Sequence, residues 1–192
     1  MTPAEETVCA ASETAGLITE MARTIWEGRR SGVPFSLVGI RTRGVTLAQR
    51  LAQVMSCDAE GEVLVGAVDI TLYRDDLGHG RSWPVLHGTD IPFPVDGAEI
   101  VLVDDVLFTG RTVRAALNAI CDLGRPDRIR LAVLVERGHR ELPIQPDIVG
   151  LVLPTSRRDR VRVRLHPQDP GDEIVRVLAG PRSSSPDRSL AP

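Results

Sequence analysis

No apolar run in the 192-residue sequence approaches the roughly 18 residues needed to cross a bilayer. The amino-terminal stretch MTPAEETVCAASETAG is acidic and lacks the basic segment of a secretory leader. No membrane partner is expected, and a cytoplasmic location is. Cysteine is scarce: Cys9, Cys57 and Cys121 are odd in number, far apart, and without CxxC spacing or a histidine companion. That excludes a disulfide framework and a cysteine-held zinc. Aromatic residues make up only 3% of the chain, too few for a platform that stacks single-stranded nucleic acid. Excess positive charge is missing too; the net charge of −3 argues against a strongly basic nucleic-acid protein, although a local patch is compatible with it. Neither GxxxxGK[ST] nor GxGxxG occurs, so a Walker loop and a dinucleotide fingerprint are both absent.

The composition that remains, 42% hydrophobic and 26% charged, suits one globular domain with a sizeable core. Residues 1–14 and 181–192 are polar and rich in Pro or Ser, and are expected to be disordered, leaving a folded body over 15–180. Helical spacing of Leu17, Met21, Ala22 and Ile25, and of Ala48, Leu51, Ala52 and Met55, predicts two amphipathic helices. A third is predicted over Thr112–Leu123, ended by Gly124-Arg-Pro126. β-Prone runs alternate with them at 35–40, 63–70, 100–103, 129–135 and 148–153. Strand–helix alternation implies an α/β fold with a parallel sheet covered on both faces, and in such sheets ligands sit beyond the carboxyl ends of the strands. The segment 74–96, rich in Asp, Gly, His and Pro, is expected to be a long loop over the site.

One segment carries most of the chemistry. Ile100-Val-Leu-Val-Asp-Asp-Val-Leu-Phe-Thr-Gly-Arg-Thr112 runs from an apolar strand through two carboxylates into a Thr-Gly-Arg-Thr turn and then a helix. A sharp turn at a helix start offers backbone N–H groups, and here the hydroxyls of Thr109 and Thr112, to a phosphate, while Gly110 lets the backbone approach closely. Asp104 and Asp105 repel phosphate and suit sugar hydroxyls or a hydrated Mg²⁺. A ligand with a phosphate at one end and a vicinal diol in the middle satisfies both halves. The plain alternative, a strand followed by a loop and a threonine-capped helix, explains an isolated DD or TG but not the whole pattern.

That pattern resembles the 5-phosphoribosyl-1-pyrophosphate (PRPP) signature of type I phosphoribosyltransferases. Over most of the folded body the chain resembles the PyrR branch, which joins uracil phosphoribosyltransferase activity to regulation of pyrimidine operons through RNA. The matching blocks are 37–44, 69–77, 100–112, 124–126, 131–143 and 154–156. The resemblance implies a parallel sheet flanked by helices with a small hood over the site. It also implies binding of PRPP, uracil and UMP with Mg²⁺, in a homo-oligomer. On it, Asp104, Asp105 and Arg74 are expected to be catalytic, with the metal held by Asp104 and Asp105 through water. Val106, Leu107, Phe108, Thr109, Gly110, Arg111 and Thr112 would hold the PRPP phosphate. Arg41, Thr42, Arg43 and Gly44 would hold pyrophosphate, whose leaving charge calls for cations and amides. Arg74, in Tyr73-Arg-Asp-Asp76, would close over it as part of a lid. Backbone groups near Glu136 and Arg137 would read the base. For these arginines, and for His139 and Arg140, the bland alternative is a solvated charged turn.

In 6-oxopurine enzymes the residue just before the Thr-Gly pair is an Asp that assists the ring nitrogen; Phe108 stands there in this chain, which disfavours hypoxanthine and guanine. Departures bear on RNA instead. Glu20, Arg23 and Gly28 stand where RNA-binding members tend to have Arg, His and Arg, and Gln145 and Leu151 where Arg and Lys are expected. Lost cations weaken phosphate contacts. Arg160, Arg162 and Arg164 alternate with Val161, Val163 and Leu165, a pattern that reads first as an edge strand guarded by charge. Three readings stay open: a uracil phosphoribosyltransferase with weakened RNA binding, an RNA-binding attenuation regulator that senses uridine nucleotides, and a paralogue acting on another acceptor.

Overall fold

The structure, a computed structural model, describes residues 4–57, 62–70 and 88–179. Its main body is a five-stranded sheet of order β3-β2-β4-β5-β6, every neighbouring pair parallel. The strands are β2 (Phe35–Ile40), β3 (Leu64–Val68), β4 (Glu99–Leu107), β5 (Arg128–Glu136) and β6 (Ile148–Val152). Helices α1 (Ala11–Glu27) and α2 (Arg43–Met55) cover one face, and α3 (Arg111–Cys121) covers the other. Strand periodicity builds two cores. Leu37, Val101, Val103, Ala132 and Leu134 face α1 and α2, while Val38, Ile100, Leu102, Leu131 and Val133 face α3. The central strands are apolar on both sides, as a doubly covered parallel sheet requires.

A second sheet of order β1-β8-β7 is antiparallel and forms the hood, from β1 (Glu5–Cys9), β7 (Arg160–Arg164) and β8 (Glu173–Val177). Here the structure departs from the expected boundary at residue 15. Residues 5–9 pair with β8 and α1 starts at Ala11, because Cys9 is drawn into the core beside Ile174 and the Glu13 side chain accepts from the Ala10 amide. Strand β7 is an edge strand, as its alternating arginines suggested. Residues 181–192 lie outside the described residues. Of the expected long loop, residues 88–96 are described; they run along the β3 edge, with Asp90 and Ala67 exchanging backbone hydrogen bonds of 2.7 and 2.8 Å. Among the described residues no helix is long and apolar enough to cross a membrane.

Candidate active site

Three segments meet beyond the carboxyl ends of β2, β4 and β5. Strand β4 is longer than its apolar run foretold and carries Asp104 and Asp105 as strand residues, so their positions are fixed by the ladder to β5. Asp104 is only 6% exposed, and the Asp105 amide donates to its Oδ1 at 3.1 Å. Burial pushes the Asp104 carboxyl well above the usual carboxylate range, and the Asp105 charge pushes the same way. Burial also raises Asp105, opposed by its hydrogen bond with Asp104 and by the Arg43 guanidinium. Two like charges with little solvent form an unfinished site, which donated hydroxyl protons or a hydrated cation would complete. Mg²⁺ is bound through one or two carboxylates together with substrate phosphates and waters, and this pair fits that demand. Among the described residues no group of three or more His, Cys, Asp or Glu gathers to form an all-protein metal cage.

The turn after β4 reaches α3 through Gly110, whose φ of +91° lies in the left-handed region that glycine adopts without strain. Phe108, Thr109 and Gly110 are the last residues before the helix, with Arg111 and Thr112 in its first turn. Arg111 donates to Glu141 at 3.0 Å. Phe108 is partly buried and flanked on two sides: the Arg137 guanidinium carbon lies 4.2 Å from its ring centroid, and the His139 ring meets it edge-on at 5.9 Å. Both neighbours are locked. Arg137 donates to Thr155 Oγ1 (3.2 Å), Ser156 O (3.0 Å) and Asp159 O (2.7 Å), and burial lowers its pKa from the usual arginine value. His139 has a φ of +64° and its Nε2 lies 2.7 Å from Thr155 O.

The expected base-reading backbone is already engaged: the Arg137 amide donates to Leu107 O, its carbonyl accepts from Thr155 Oγ1, and the Glu136 carbonyl accepts from the Leu153 amide. Each carbonyl keeps a second lone pair. Thr155, Ser156 and Asp159 escaped the sequence reading as site residues. The block Pro154-Thr-Ser156, just beyond the carboxyl end of β6, was a signal for the first two, and none marked Asp159.

The turn Arg41–Gly44 joins β2 to α2, and its Arg41–Thr42 peptide is cis. Gly44 packs so closely on β4 that a Cβ there would stand 2.5 Å from Val103 O, which brings this turn against the backbone of Asp104. Arg41 donates to Gly88 O at 3.0 Å. The Arg43 side chain turns to the hood, where it meets Asp169 through two hydrogen bonds of 3.0 and 3.1 Å. That partner raises the Arg43 pKa and lowers that of Asp169. Gln168 donates to Thr42 O at 3.4 Å, so the same hood loop holds the turn at a second point. Arg74 lies outside the described residues, as do Tyr73, Asp75 and Asp76.

Comparison with known proteins accords with this arrangement. The family described as "Phosphoribosyl transferase domain" matches residues 11–161. "Bifunctional protein PyrR" of a Roseiflexus species is 52% identical over 179 residues, covering 91% of this chain and 97% of its own length. The protein of the same name from Deinococcus radiodurans is 47% identical, covering 93% of this chain and 97% of its own. Among solved structures, the hypoxanthine phosphoribosyl transferase of Trypanosoma cruzi superposes with a TM-score of 0.68 at 19% identity, covering 93% of each chain, a likeness of fold alone. A parallel sheet with a hood, an acid pair at the end of β4 leading into a Thr-Gly turn, and near-full-length relatives at about half identity together place the chain in the PyrR family of phosphoribosyltransferases.

Proposed function

We propose that this chain transfers the phosphoribosyl group of PRPP to uracil, forming UMP and pyrophosphate with Mg²⁺. The observation that carries the reading is the Asp104–Asp105 pair, Asp104 buried and Asp105 partly so, running directly into the turn before α3, where Phe108 rather than an acid precedes Thr109. In this reading the turn from Phe108 to Thr112 binds the 5′-phosphate with backbone amides and hydroxyls. Asp104 and Asp105 accept hydrogen bonds from the ribose hydroxyls and hold the hydrated metal. Bound Mg²⁺ supplies charge neutralisation on the pyrophosphate. Arg41, Thr42, Arg43 and Gly44 take the leaving group, assisted by Arg74 from the lid. The bond between the anomeric carbon and the pyrophosphate oxygen breaks, the uracil nitrogen bonds to that carbon, and the nitrogen's proton passes to the departing pyrophosphate or to water. Phe108, held by Arg137 and His139, forms the apolar wall against which a single-ring base lies, and a second lone pair of the Glu136 or Arg137 carbonyl accepts from the ring N–H that does not react. A cytoplasmic, homo-oligomeric enzyme completes the reading.

Turnover of PRPP with uracil and with hypoxanthine tests it directly. Magnesium-dependent UMP formation and no use of hypoxanthine are expected; chelator-insensitive turnover, or PRPP binding with no reaction on uracil, would favour the paralogue reading.

A second function, binding of pyrimidine-leader RNA, is suggested by kinship with proteins named bifunctional. We propose that it is weak in this chain. On α1 the exposed Arg23 is taken by Glu20 at 2.8 and 3.0 Å. On the hood, Arg162 pairs with Glu5, and Arg164 with Glu5 and Glu173, so two of the three strand arginines are already neutralised. Micromolar affinity with a shallow salt dependence is expected in a titration at physiological salt. A nanomolar, UMP-stimulated, sequence-selective complex would restore the regulator reading.

A further inference from the structure

Arg140 lies outside every contact assigned above, yet its side chain is only 19% exposed and its guanidinium is aimed at backbone oxygen. Its Nη1 donates to Phe108 O at 2.6 Å and, at a longer 3.4 Å, to Leu107 O and Gly138 O. Its Nε donates to Ile144 O at 3.1 Å, and its Nη2 to Glu136 Oε1 at 2.8 Å. The surrounding segment continues the pattern: the Arg137 amide donates to Leu107 O at 3.2 Å, and the amides of Glu141 and Leu142 donate to Thr109 O at 3.0 and 3.2 Å. The carbonyls of Leu107, Phe108 and Thr109 are thus all held by residues 137–142.

In a trans peptide the carbonyl and the following N–H point in opposite directions. Fixing those three carbonyls therefore fixes the amides of Phe108, Thr109 and Gly110 on the side away from residues 137–142. None of these three amides donates to another described residue. They are the donors that the phosphate turn needs, and a cation on the carbonyl end of a peptide also polarises its N–H toward a stronger donor.

We propose that Arg140 is a positioning residue: by binding the Phe108 and Leu107 carbonyls it holds the backbone amides of the turn ready for the 5′-phosphate. It need touch no substrate atom. The inference rests on the assignment of this turn to the phosphate. A lysine cannot replace the fork, because three acceptor directions are spanned by one planar group. The competing role is a simple brace of the 136–144 segment, which would lower stability and active fraction while leaving phosphate affinity alone.

The two roles separate in a comparison of UMP with uridine, which differ only in the phosphate. Calorimetric titrations of both ligands against wild type, Arg140→Met and Arg140→Lys, with steady-state kinetics alongside, supply the readout. In Arg140→Met the UMP affinity is expected to fall at least tenfold, about 1.4 kcal/mol, with uridine affinity within about twofold. The KM for PRPP should rise in step while kcat changes less. Arg140→Lys keeps the charge and part of the bonding, so a loss of about fivefold is expected; it carries the comparison if the methionine variant does not fold. An unchanged UMP-to-uridine ratio in the folded variants, even with lower kcat, would make Arg140 a brace and overturn the inference. A wild type that fails to prefer UMP over uridine would overturn the phosphate assignment itself, and the inference with it.

Discussion

At the amino end of β4, Glu99 is fully buried, and its carboxylate stands 2.9 Å from Arg130 Nε while accepting from the Arg30 amide at 2.9 Å. Arg130 in turn donates to Ile25 O at 3.0 Å. The Nε–Oε1 contact is an ion pair without hydrogen-bond alignment, but each charge has a partner from within the chain. At the carboxyl end of the same strand the buried Asp104 stands next to the partly buried Asp105, and Arg43, whose charge acts on Asp105, is hydrogen-bonded to Asp169. One end is a finished structural site. The other leaves charge to be balanced by what binds there, and that difference separates a stabilising buried acid from a working one.

The largest effect is expected from breaking the finished end. Glu99→Ala leaves Arg130 buried without its counter-charge and should cost about 3–5 kcal/mol in chemical denaturation. Restoring apolar packing with Glu99→Leu and Arg130→Met together should recover most of that loss. The KM for PRPP should not move in either variant, since the strand's other end is untouched.

The working end should respond in the opposite sense. Asp104→Asn or Asp105→Asn keeps the shape and removes a carboxylate, so turnover or PRPP affinity should fall at least tenfold, about 1.4 kcal/mol. The unfolding midpoint should hold or rise, because burial disfavours the ionised form of both carboxyls in the folded chain. Wild-type kinetics in both variants would return the pair to a structural role.

A smaller effect sharpens the contrast at Arg43. The Asp169 carboxylate competes with any anion for that guanidinium, so Asp169→Asn should tighten inhibition by pyrophosphate. A partly exposed pair of this kind is worth at most about 1 kcal/mol, or roughly fivefold. Inhibition constants measured against PRPP check it.

The smallest effect concerns acid. Arg176 and the amides of Ser156 and Ala179 hold the Asp159 carboxyl down to about 2, against an unfolded value of about 3.9. A depressed folded pKa stabilises above the unfolded value and is lost on acidification, so this contribution is complete above about pH 5 and fades toward pH 2. Asp159→Asn should flatten that part of the acid-unfolding curve.

Much of the fold was written in local pattern. The five parallel strands and three helices follow from apolar periodicity, and β2 coincides with its expected run at 35–40. What periodicity could not reach was the hood. Its strands β1 and β8 are short, carry charged residues without a regular alternation, and pair with each other across more than 160 residues. Glu5 and Thr7 read as a polar end until Val177 and Val175 stand opposite them. At the site, Asp104, Asp105 and the Thr-Gly turn were legible because their spacing is a chemical pattern. Arg137 was expected at the base through its backbone, but the carbonyl-binding roles of the Arg137 and Arg140 guanidinium groups were not legible, since such a side chain looks in sequence like any charged loop residue. Asp169 was hidden for the same reason, its partner lying 126 positions away.

Titration of wild type and the Asp104→Asn, Asp105→Asn double variant with PRPP in Mg²⁺, alongside their unfolding midpoints, tests most directly whether the open end of β4 is the ligand site. Saturable binding by wild type, at least a hundredfold weaker binding by the double variant, about 2.7 kcal/mol, and an unfolding midpoint no lower than wild type are expected. Equal affinity in the two proteins, or a double variant as destabilised as Glu99→Ala, would contradict it.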